Sequence, residues 1–248
     1  MTNLIPSALV TGASRGIGRS IALSLAKAGF ALTITSRRDE ALAELEQELL
    51  AAGAPSVSRS PGDVADREHL AHLVDLHRAE FGSMHALVIN AGVGTAGSIA
   101  DFPLERTQKL LDVNFIAGLV LIQHSLPLLR AGAAERPETG AKIIALSSIT
   151  GAYAERDLAT YGASKAALLS LVETFNLEEC ENGVTATALA PGYVDTEMAA
   201  WVTDRIPAST MIPVADVVRV VDMLLSLSPA SVISRMVIAR SGSGGYTA

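Results

Sequence analysis

The stretch "ALVTGASRGIGRS", from Ala8 to Ser20, leads from a short apolar run through a glycine-rich turn into a segment with helical character. Gly12, Gly16 and Gly18 permit a tight turn and a close approach of the backbone to a pyrophosphate group. At the start of a helix, free N–H groups and the helix dipole favour an anion. A glycine turn alone is also an ordinary connection between a strand and a helix, so its meaning depends on the rest of the chain.

Short runs rich in Val, Ile, Leu and Thr alternate with helical patterns along the chain, as is typical of βαβ units and a parallel sheet. The predicted strands are Ala8 to Thr11, Ala31 to Ser36, a weak one near Val57, Ala86 to Asn90, Lys142 to Ser147, Thr185 to Ala190 and Val232 to Ala239. The predicted helices lie near 16–28, 40–52, 66–81, 104–129, 160–180 and 214–227. The sequence therefore predicts an α/β fold, a Rossmann-like doubly wound parallel sheet of about seven strands with helices on both faces. One domain is expected to span residues 1–248.

Composition narrows the function classes. The 248 residues are 49% hydrophobic and carry a net charge of -7, without a Lys/Arg-rich block that could follow a phosphate backbone, so nucleic acid is not an expected partner. A single cysteine cannot form an intrachain disulfide, and the N-terminus has no signal-peptide pattern. No apolar run reaches transmembrane length. We therefore expect a soluble, cytoplasmic protein without a membrane partner.

A metal site is not expected. His69 and His72 lie on one predicted helix, and His77 falls on its apolar stripe. The chain has no His-Glu-x-x-His pattern and no clustered carboxylates that would complete a site. These histidines are expected to have structural roles.

The stretch "TYGASKAAL", from Thr160 to Leu168, places a tyrosine and a lysine four residues apart. On a helix Tyr161 and Lys165 share one face, and a cation beside the phenol is expected to lower its pKa toward neutrality. A phenol tuned in this way suits proton transfer in catalysis. Ser148, upstream, is a further group that could hydrogen-bond a reacting oxygen.

The order of these motifs resembles the short-chain dehydrogenase/reductase family over nearly the whole chain. The matching motifs are a TGxxxGxG turn, "INAG" after the fourth strand, Ser148 and Tyr161-x-x-x-Lys165. The resemblance implies hydride transfer between a nicotinamide and a carbonyl or secondary alcohol. It makes Tyr161 the general acid in reduction and the base in oxidation, with Ser148 on the substrate oxygen. Ser147 is the competitor for that role, but the family's spacing to the tyrosine selects Ser148.

The resemblance also gives a role to two further polar side chains. Lys165 is implied to lower the pKa of the tyrosine and to hold the nicotinamide ribose. Asn114, in "LLDVNFIAG", aligns with a position that links the lysine through water to a proton relay. The alternative for Asn114 is a core asparagine bonded to the backbone, because a buried amide needs a partner in either case.

Residues at the carboxyl ends of the strands are implied to hold the cofactor. They are Gly12, Ser14, Arg15, Gly16, Ile17, Gly18, Arg37, Asp63, Val64, Asn90, Ala91, Gly92, Tyr161, Lys165, Pro191, Gly192, Val194 and Thr196. For Asp63 a helix cap before Glu68 is the alternative. The second strand ends in "TITSRRDE", with Ser36 and Arg37 where an NAD-preferring site places a carboxylate. Arg37 and Arg15 together therefore predict NADP(H), although Arg37 could also be a solvated loop charge.

The segment 193–213 lies where the family has its substrate lid. Its apolar side chains are Met198, Trp201, Val202, Ile206 and Met211. They favour a hydrophobic or amphipathic substrate, or they close the core, since both roles need the same composition. A 3-oxoacyl thioester is one option, because relatives of this length include 3-oxoacyl-(acyl-carrier-protein) reductases, but no basic cluster identifies a carrier-binding surface. A catalytically silent dinucleotide-binding regulator on the same fold is the alternative function.

A homo-oligomer, a tetramer or a dimer, is expected by similarity to the family. Helices 104–129 and 160–180 would each pack against a symmetry mate, because the first is apolar on nearly every side and the second carries small residues. The tail "VIARSGSGGYTA" departs from the family's usual strand ending in Asp-Gly-Gly. That departure leaves open the contacts this segment often makes across subunits.

Overall fold

Seven parallel strands form one sheet in the order β3-β2-β1-β4-β5-β6-β7. The computed structural model describes residues 5–243. The strands are β1 (Ser7–Thr11), β2 (Ala31–Ser36), β3 (Val57–Pro61), β4 (Ala86–Ile89), β5 (Ala141–Leu146), β6 (Val184–Pro191) and β7 (Arg235–Ile238). The strands β1 to β3 follow one another toward one edge of the sheet, and β4 to β7 follow one another toward the other edge. The order of the strands therefore reverses between β1 and β4, which pair directly. Ligands of open parallel sheets bind at the carboxyl ends of the strands beside such a reversal.

Helices cover both faces of this sheet, which confirms the predicted fold class. They are α1 (Gly16–Lys27), α2 (Asp39–Ala52), α3 (Arg67–Phe81), α4 (Leu104–Leu111), α5 (Ala117–Glu135), α6 (Ile149–Ala152), α7 (Ala159–Glu179) and α8 (Val214–Ser226). Successive strand residues point to opposite faces. In β1, Leu9 joins the core under α3, α5 and α7, whereas Ala8 and Val10 join the core under α1, α2 and α8.

The fourth predicted helix differs from its prediction in length and regularity. It continues to Glu135 rather than to 129, and the turn Asp112–Ile116 is a π-helix between α4 and α5. Pro127 lies inside α5 on its exposed side. The packing of α5 against α3 and β5 stabilises a helix that the local sequence signals would end earlier.

The continuous helix Leu104–Glu135 is long and apolar enough to cross a membrane by length and composition alone. The buried helix of a globular domain meets the same test. Here α5 contributes Leu121, Leu128 and Leu129 to the core cluster, and its exposed stripe is mainly polar, with Gln123, His124, Pro127 and Arg130.

Strand β7 is shorter than predicted, since Arg235–Ile238 replaces the expected Val232 to Ala239. It is an edge strand that pairs only with β6 among the described strands. Of the tail expected to depart from the family, residues 244–248 lie outside the described residues.

Two of the three histidines of α3, His77 and His69, have structural partners, whereas His72 is exposed. His77 is fully buried; its Nδ1 lies 2.8 Å from Thr33 Oγ1 and its Nε2 3.1 Å from the carbonyl oxygen of Ser83. His69 Nε2 lies 3.0 Å from Thr35 Oγ1, which ties α3 to β2. Among residues 5–243, no group of His, Cys, Asp or Glu side chains has an arrangement that could hold a metal ion.

Candidate active site

The glycine turn between β1 and α1 is packed against Asn90, the residue that follows β4. Gly12 has a φ of +63°, and a Cβ added to Gly18 would lie 2.3 Å from Asn90 Nδ2. Asn90 Nδ2 donates to the carbonyl oxygens of Thr11 (3.0 Å) and Gly12 (3.1 Å). Only glycine fits at these positions, because a side chain would force the turn away from the amide that holds it.

The threonine before this turn holds the end of β4 from the other side. Thr11 Oγ1 accepts hydrogen bonds from the backbone N–H groups of Asn90 and Ala91, at 3.0 Å each. The first turn of α1 has no side-chain cap, since Arg15 precedes it without a capping bond. Its N–H groups are therefore available to an anion, so the turn fits a pyrophosphate group.

Ser148 lies at the end of β5, where it caps α6. Its Oγ lies 2.8 Å from Thr150 Oγ1 and accepts a hydrogen bond from the Thr150 N–H (3.3 Å). The competitor Ser147 donates instead to the carbonyl oxygen of Lys165, at 2.8 Å. The two serines alternate along the strand end, so Ser147 is used to attach α7 and Ser148 keeps a hydroxyl near the tyrosine.

Tyr161 and Lys165 lie on the first two turns of α7, but their electrostatics differ from the expectation. Burial raises the pKa of the Tyr161 phenol; a hydrogen bond with Ser148 opposes this increase, and the charge of Glu155 adds to it. Burial lowers the pKa of Lys165 to about 8. Lys165 Nζ donates to the carbonyl oxygen of Leu146, at 2.7 Å. The predicted lowering of the tyrosine pKa by the lysine is thus wrong for the protein without cofactor, because desolvation dominates both groups.

Asn114 lies in the π-helical turn and is almost fully buried. Its Oδ1 accepts from the N–H of Val93 (2.9 Å), and its Nδ2 donates to the carbonyl oxygen of Val93 (2.9 Å) and to Ser164 Oγ (3.0 Å). Ser164 in turn donates to the carbonyl oxygen of Tyr161, at 2.7 Å. The amide therefore has the backbone partner of the core alternative, and it also joins the loop after β4 to the tyrosine helix.

Part of this set lines one cavity of about 150 Å³ at the carboxyl ends of the strands, whereas Asn114 and the glycines of the turn lie outside its lining. Its lining includes Ser148, Tyr161 and Lys165. Predicted cofactor residues also line it, namely Ile17, Asn90, Gly92, Pro191, Gly192, Val194 and Thr196. A Cβ added to Gly92 would lie 3.3 Å from both Asn114 Oδ1 and Lys165 Nζ, so the backbone there passes directly beside both polar groups.

Comparison with known proteins agrees with this geometry. The family model of the short chain dehydrogenases matches residues 6–206. The chain belongs to the short-chain dehydrogenase family. It is 34% identical over 212 residues to a 3-oxoacyl-(acyl-carrier-protein) reductase of Staphylococcus aureus, covering 84% of this chain and 83% of the relative. It is 33% identical over 192 residues to an uncharacterised oxidoreductase of Staphylococcus saprophyticus, covering 77% and 80%.

Two solved structures have the same architecture as this short-chain dehydrogenase. An alcohol dehydrogenase of the archaeon Thermococcus sibiricus, complexed with 5-hydroxy-NADP, has a TM-score of 0.85 at 25% identity, with 98% of each chain covered. An actinorhodin polyketide ketoreductase variant with NADPH has a TM-score of 0.86 at 26% identity, with 97% and 98% covered. The chain is therefore an oxidoreductase of this family. The two structures above contain NADP-type nucleotides, whereas another neighbour, with a TM-score of 0.85 at 22% identity, is described as an NADH-dependent reductase.

The end of β2 is the part of the dehydrogenase that would meet the adenosine ribose. Ser36 Oγ is buried and has no hydrogen-bond partner within the described structure. Arg37 is exposed, and it forms no hydrogen bond or ion pair with residues 5–243. Asp39 begins α2 and pairs with Arg59, so this carboxylate is already used. An unpaired hydroxyl beside an unpaired guanidinium fits a phosphorylated ribose.

Arg15, the other predicted phosphate ligand, has a protein partner. Its guanidinium forms an ion pair with Glu197 at the start of the lid, and both side chains are mostly exposed. Beneath this pair, a Cβ on Gly16 would lie 3.5 Å from Thr196 Cγ2. The lid therefore contacts the glycine turn directly.

Asp63 does not cap the following helix. Its Oδ1 accepts from the N–H of Ala65 at 3.0 Å, while Asp66 caps α3 by accepting from the N–H of Glu68 at 2.9 Å. The helix-cap alternative is thus wrong for Asp63. Val64 is buried in the core beneath this turn. The adenine contact implied for this pair stays a prediction.

The two alternative roles of the apolar lid residues, lining the pocket and packing in the core, belong to different residues. Met198 and Trp201 are 50% and 53% exposed and line the cavity. Val202 and Met211 instead form a small core with Ala199. The backbone of the lid forms the short helical turns Glu197–Val202 and Ala208–Thr210. The apolar lid residues therefore serve both the pocket and the packing of the lid itself.

Four polar residues of the cavity were not predicted from the sequence, namely Thr95, Thr150, Glu155 and Tyr193. Thr150 could have been found from its spacing to Ser148, because a serine before a short helix commonly bonds two residues on. Glu155 and Tyr193 lie 38 positions apart and meet through a hydrogen bond of 2.9 Å. No local pattern links them.

Proposed function

We propose that this short-chain dehydrogenase is an NADP(H)-dependent carbonyl reductase or alcohol dehydrogenase. The observation that carries the proposal is the meeting of Ser148, Tyr161 and Lys165 in one cavity that also reaches the residues beside the glycine turn. A hydroxyl, a phenol and an ammonium group that line one cavity can orient a carbonyl and exchange a proton with its oxygen.

The nicotinamide, when bound, supplies or accepts the hydride. In reduction the Tyr161 phenol donates its proton to the carbonyl oxygen, and its raised pKa keeps that proton in place at neutral pH. Ser148 Oγ donates a hydrogen bond to the same oxygen. Lys165 holds the ribose and adds positive charge near the phenolate that forms. Asn114, which is held by Ser164, would connect Lys165 through water to a proton relay.

NADP(H) is favoured over NAD(H) by the end of β2. Ser36 Oγ and the Arg37 guanidinium have no protein partner within residues 5–243, and a 2′-phosphate would supply one to both. The neighbours complexed with NADPH and 5-hydroxy-NADP support this choice. Gly12, Ser14, Gly16, Ile17 and Gly18 would hold the pyrophosphate.

An apolar ketone is the substrate class that the lid supports, because Met198 and Trp201 face the cavity. A 3-oxoacyl thioester is one member of that class, supported by the reductase of Staphylococcus aureus among the relatives. We also propose a cytoplasmic location and a homo-oligomer.

Tyr161→Phe is the decisive variant. The ring stays and the proton is lost, so folding and NADPH binding are expected to persist while kcat falls by about a hundredfold or more. A panel of ketones and secondary alcohols, followed by NADPH absorbance, measures turnover. Wild-type turnover in the variant would overturn the mechanism. If the wild type binds NADPH but turns over no compound of the panel, the alternative function of a dinucleotide-binding regulator would be favoured.

A further inference from the structure

An acidic side chain lies in the otherwise largely apolar substrate end of the cavity. Glu155 lines the same cavity as Ser148 and Tyr161. Its Oε1 accepts a hydrogen bond from the Tyr193 hydroxyl at 2.9 Å, whereas its Oε2 is buried without a hydrogen-bond partner in the described residues. A buried carboxylate oxygen without a donor is costly, so the site favours a ligand that supplies one.

The loop between α6 and α7 holds Glu155 at this place. The Leu158 N–H donates to the Glu155 carbonyl oxygen at 3.3 Å, and the Gly97 N–H donates to that of Asp157 at 2.8 Å. The terminal torsion of a glutamate is broad and two-fold. Either carboxylate oxygen can therefore turn to the cavity while the backbone stays fixed.

The charge of Glu155 reaches the reacting groups. It raises the pKa of Tyr161 and, together with burial, that of Tyr193. Among the described residues that line the cavity, Lys165 alone is a lysine or arginine, and its Nζ donates to the Leu146 carbonyl oxygen. Arg205 stacks on the Trp201 ring at 5.6 Å. The charge of Arg205 acts on Tyr193, but Arg205 does not belong to the cavity lining. A substrate carboxylate in the cavity would therefore meet the charge of Glu155 with only the hydrogen-bonded Lys165 in the lining to offset the repulsion.

We infer that Glu155 is a specificity-determining residue that binds a hydrogen-bond donor on the substrate, a hydroxyl or a protonated amine, near the carbonyl that is reduced. This inference rests on the proposed function and narrows its substrate class to ketones with a second, donating group. Anionic ketones are poor substrates.

The test uses methyl ketones with a hydroxyl group placed at each carbon of a short alkyl chain in turn, each compared with its methyl ether. Amino and carboxylate analogues form further arms. The wild type is expected to prefer one hydroxyl or amino ketone over its matched ether or plain ketone by about tenfold or more in kcat/KM, because a charge-assisted hydrogen bond is lost. The two arms distinguish a hydroxyl from an ammonium ligand. In Glu155→Gln this ratio is expected to fall to within about threefold.

Tyr193→Phe is the matched control, since it keeps the carboxylate and removes only its protein donor. It is expected to retain the preference. A wild type without any preference, a preference for carboxylates, or a ratio unchanged by Glu155→Gln would overturn the inference. So would a preference lost in Tyr193→Phe and kept in Glu155→Gln.

Binding gives a readout that does not depend on turnover. Trp201 is the only tryptophan of the chain and lines the cavity, so quenching of its fluorescence reports the dissociation constants of each hydroxyl and ether pair. The same tenfold ratio in the wild type, reduced in Glu155→Gln, is expected. Equal affinities would overturn the inference. Absence of turnover with every ketone would instead count against the proposed function, while this binding ratio still decides the role of Glu155.

Discussion

At the scale of single residues, the candidate site contains polar groups that are costly to bury. Lys165 is only 4% exposed, and desolvation lowers its pKa from 10.5 to about 8. Ser36 Oγ is buried without a partner in the described residues. Buried groups of this kind are costly in the folded protein, and they cluster at functional sites.

The lowered pKa of Lys165 predicts a pH-dependent stability. Between pH 8 and 10.5 the unfolded chain keeps the proton that the folded protein has lost, so the stability of the wild type relative to Lys165→Met rises with pH. The gain is up to roughly 3 kcal/mol. Urea unfolding without cofactor at pH 7 and pH 10 measures it.

Lys27→Met is the control for this measurement, because Lys27 is exposed at the end of α1. Its difference from the wild type is expected to stay constant with pH. A Lys165→Met difference that is also constant would show that the folded protein does not disfavour the ammonium group.

Arg37 decides the choice of cofactor in our interpretation. Charge-assisted bonds to a phosphate contribute roughly 1.5 to 3 kcal/mol each, so Arg37→Asp is expected to weaken NADPH by about ten- to a hundredfold and to leave NADH nearly unchanged. The ratio of kcat/KM for the two cofactors measures this. Arg38→Asp, one position further, controls for charge. A wild type that prefers NADH would contradict the interpretation.

At the scale of elements, the lid and the glycine turn form a contact that only the fold creates. Arg15 precedes α1, Glu197 begins the lid, and their ion pair spans 182 positions of sequence. An exposed pair of this kind contributes little to stability. We expect the ion pair to affect cofactor binding instead, because Glu197 pairs with a guanidinium that could otherwise bind a phosphate.

Glu197→Gln is therefore expected to lower the KM for NADPH by about two- to fivefold, since it frees Arg15 and removes a negative charge. The KM for NADH should not change. Glu48→Gln is the matched control, because Glu48 pairs with Arg19 on the same helix α1, away from the turn. Equal KM values for NADPH in the wild type and Glu197→Gln would mean that Arg15 does not contact the 2′-phosphate.

At the scale of the whole molecule, the sheet is covered on both faces, yet some apolar side chains remain exposed. Leu104 on α4 and Leu177 on α7 are 83% and 85% exposed. The exposed stripe of α5 is mainly polar, so the expectation of an all-round apolar helix does not by itself support an interface. Single exposed leucines are also ordinary on the surface of a monomer, so the homo-oligomer stays a prediction made from similarity to the family.

A homo-oligomer built on these helices predicts a light-scattering mass that is a multiple of one chain at micromolar concentration. Leu177→Asp is expected to lower that mass, because it places a charge in the contact. Ile99→Asp, in the loop before α4 at an equally exposed residue, should leave it unchanged. A wild-type mass equal to one chain would refute the oligomer.

Sequence patterns alone were enough to predict the fold class, most strand and helix positions, and three candidate catalytic residues that line one cavity, Ser148, Tyr161 and Lys165. These depend on local patterns: buried parallel strands are continuous apolar runs, helices have their own period, and a glycine turn marks the nucleotide end. The predicted boundaries were wrong where packing stabilises the element, as at the end of α5, which lies at Glu135 rather than at 129.

The electrostatics of the candidate site and its long-range contacts could be obtained only from the tertiary structure. The pKa of Tyr161 depends on desolvation, on a hydrogen bond with Ser148 and on the charge of Glu155. The pairs Glu155–Tyr193 and Arg15–Glu197 join segments far apart in the chain. Desolvation and long-range pairing are properties of the assembled cavity, so no spacing within one element could reveal them.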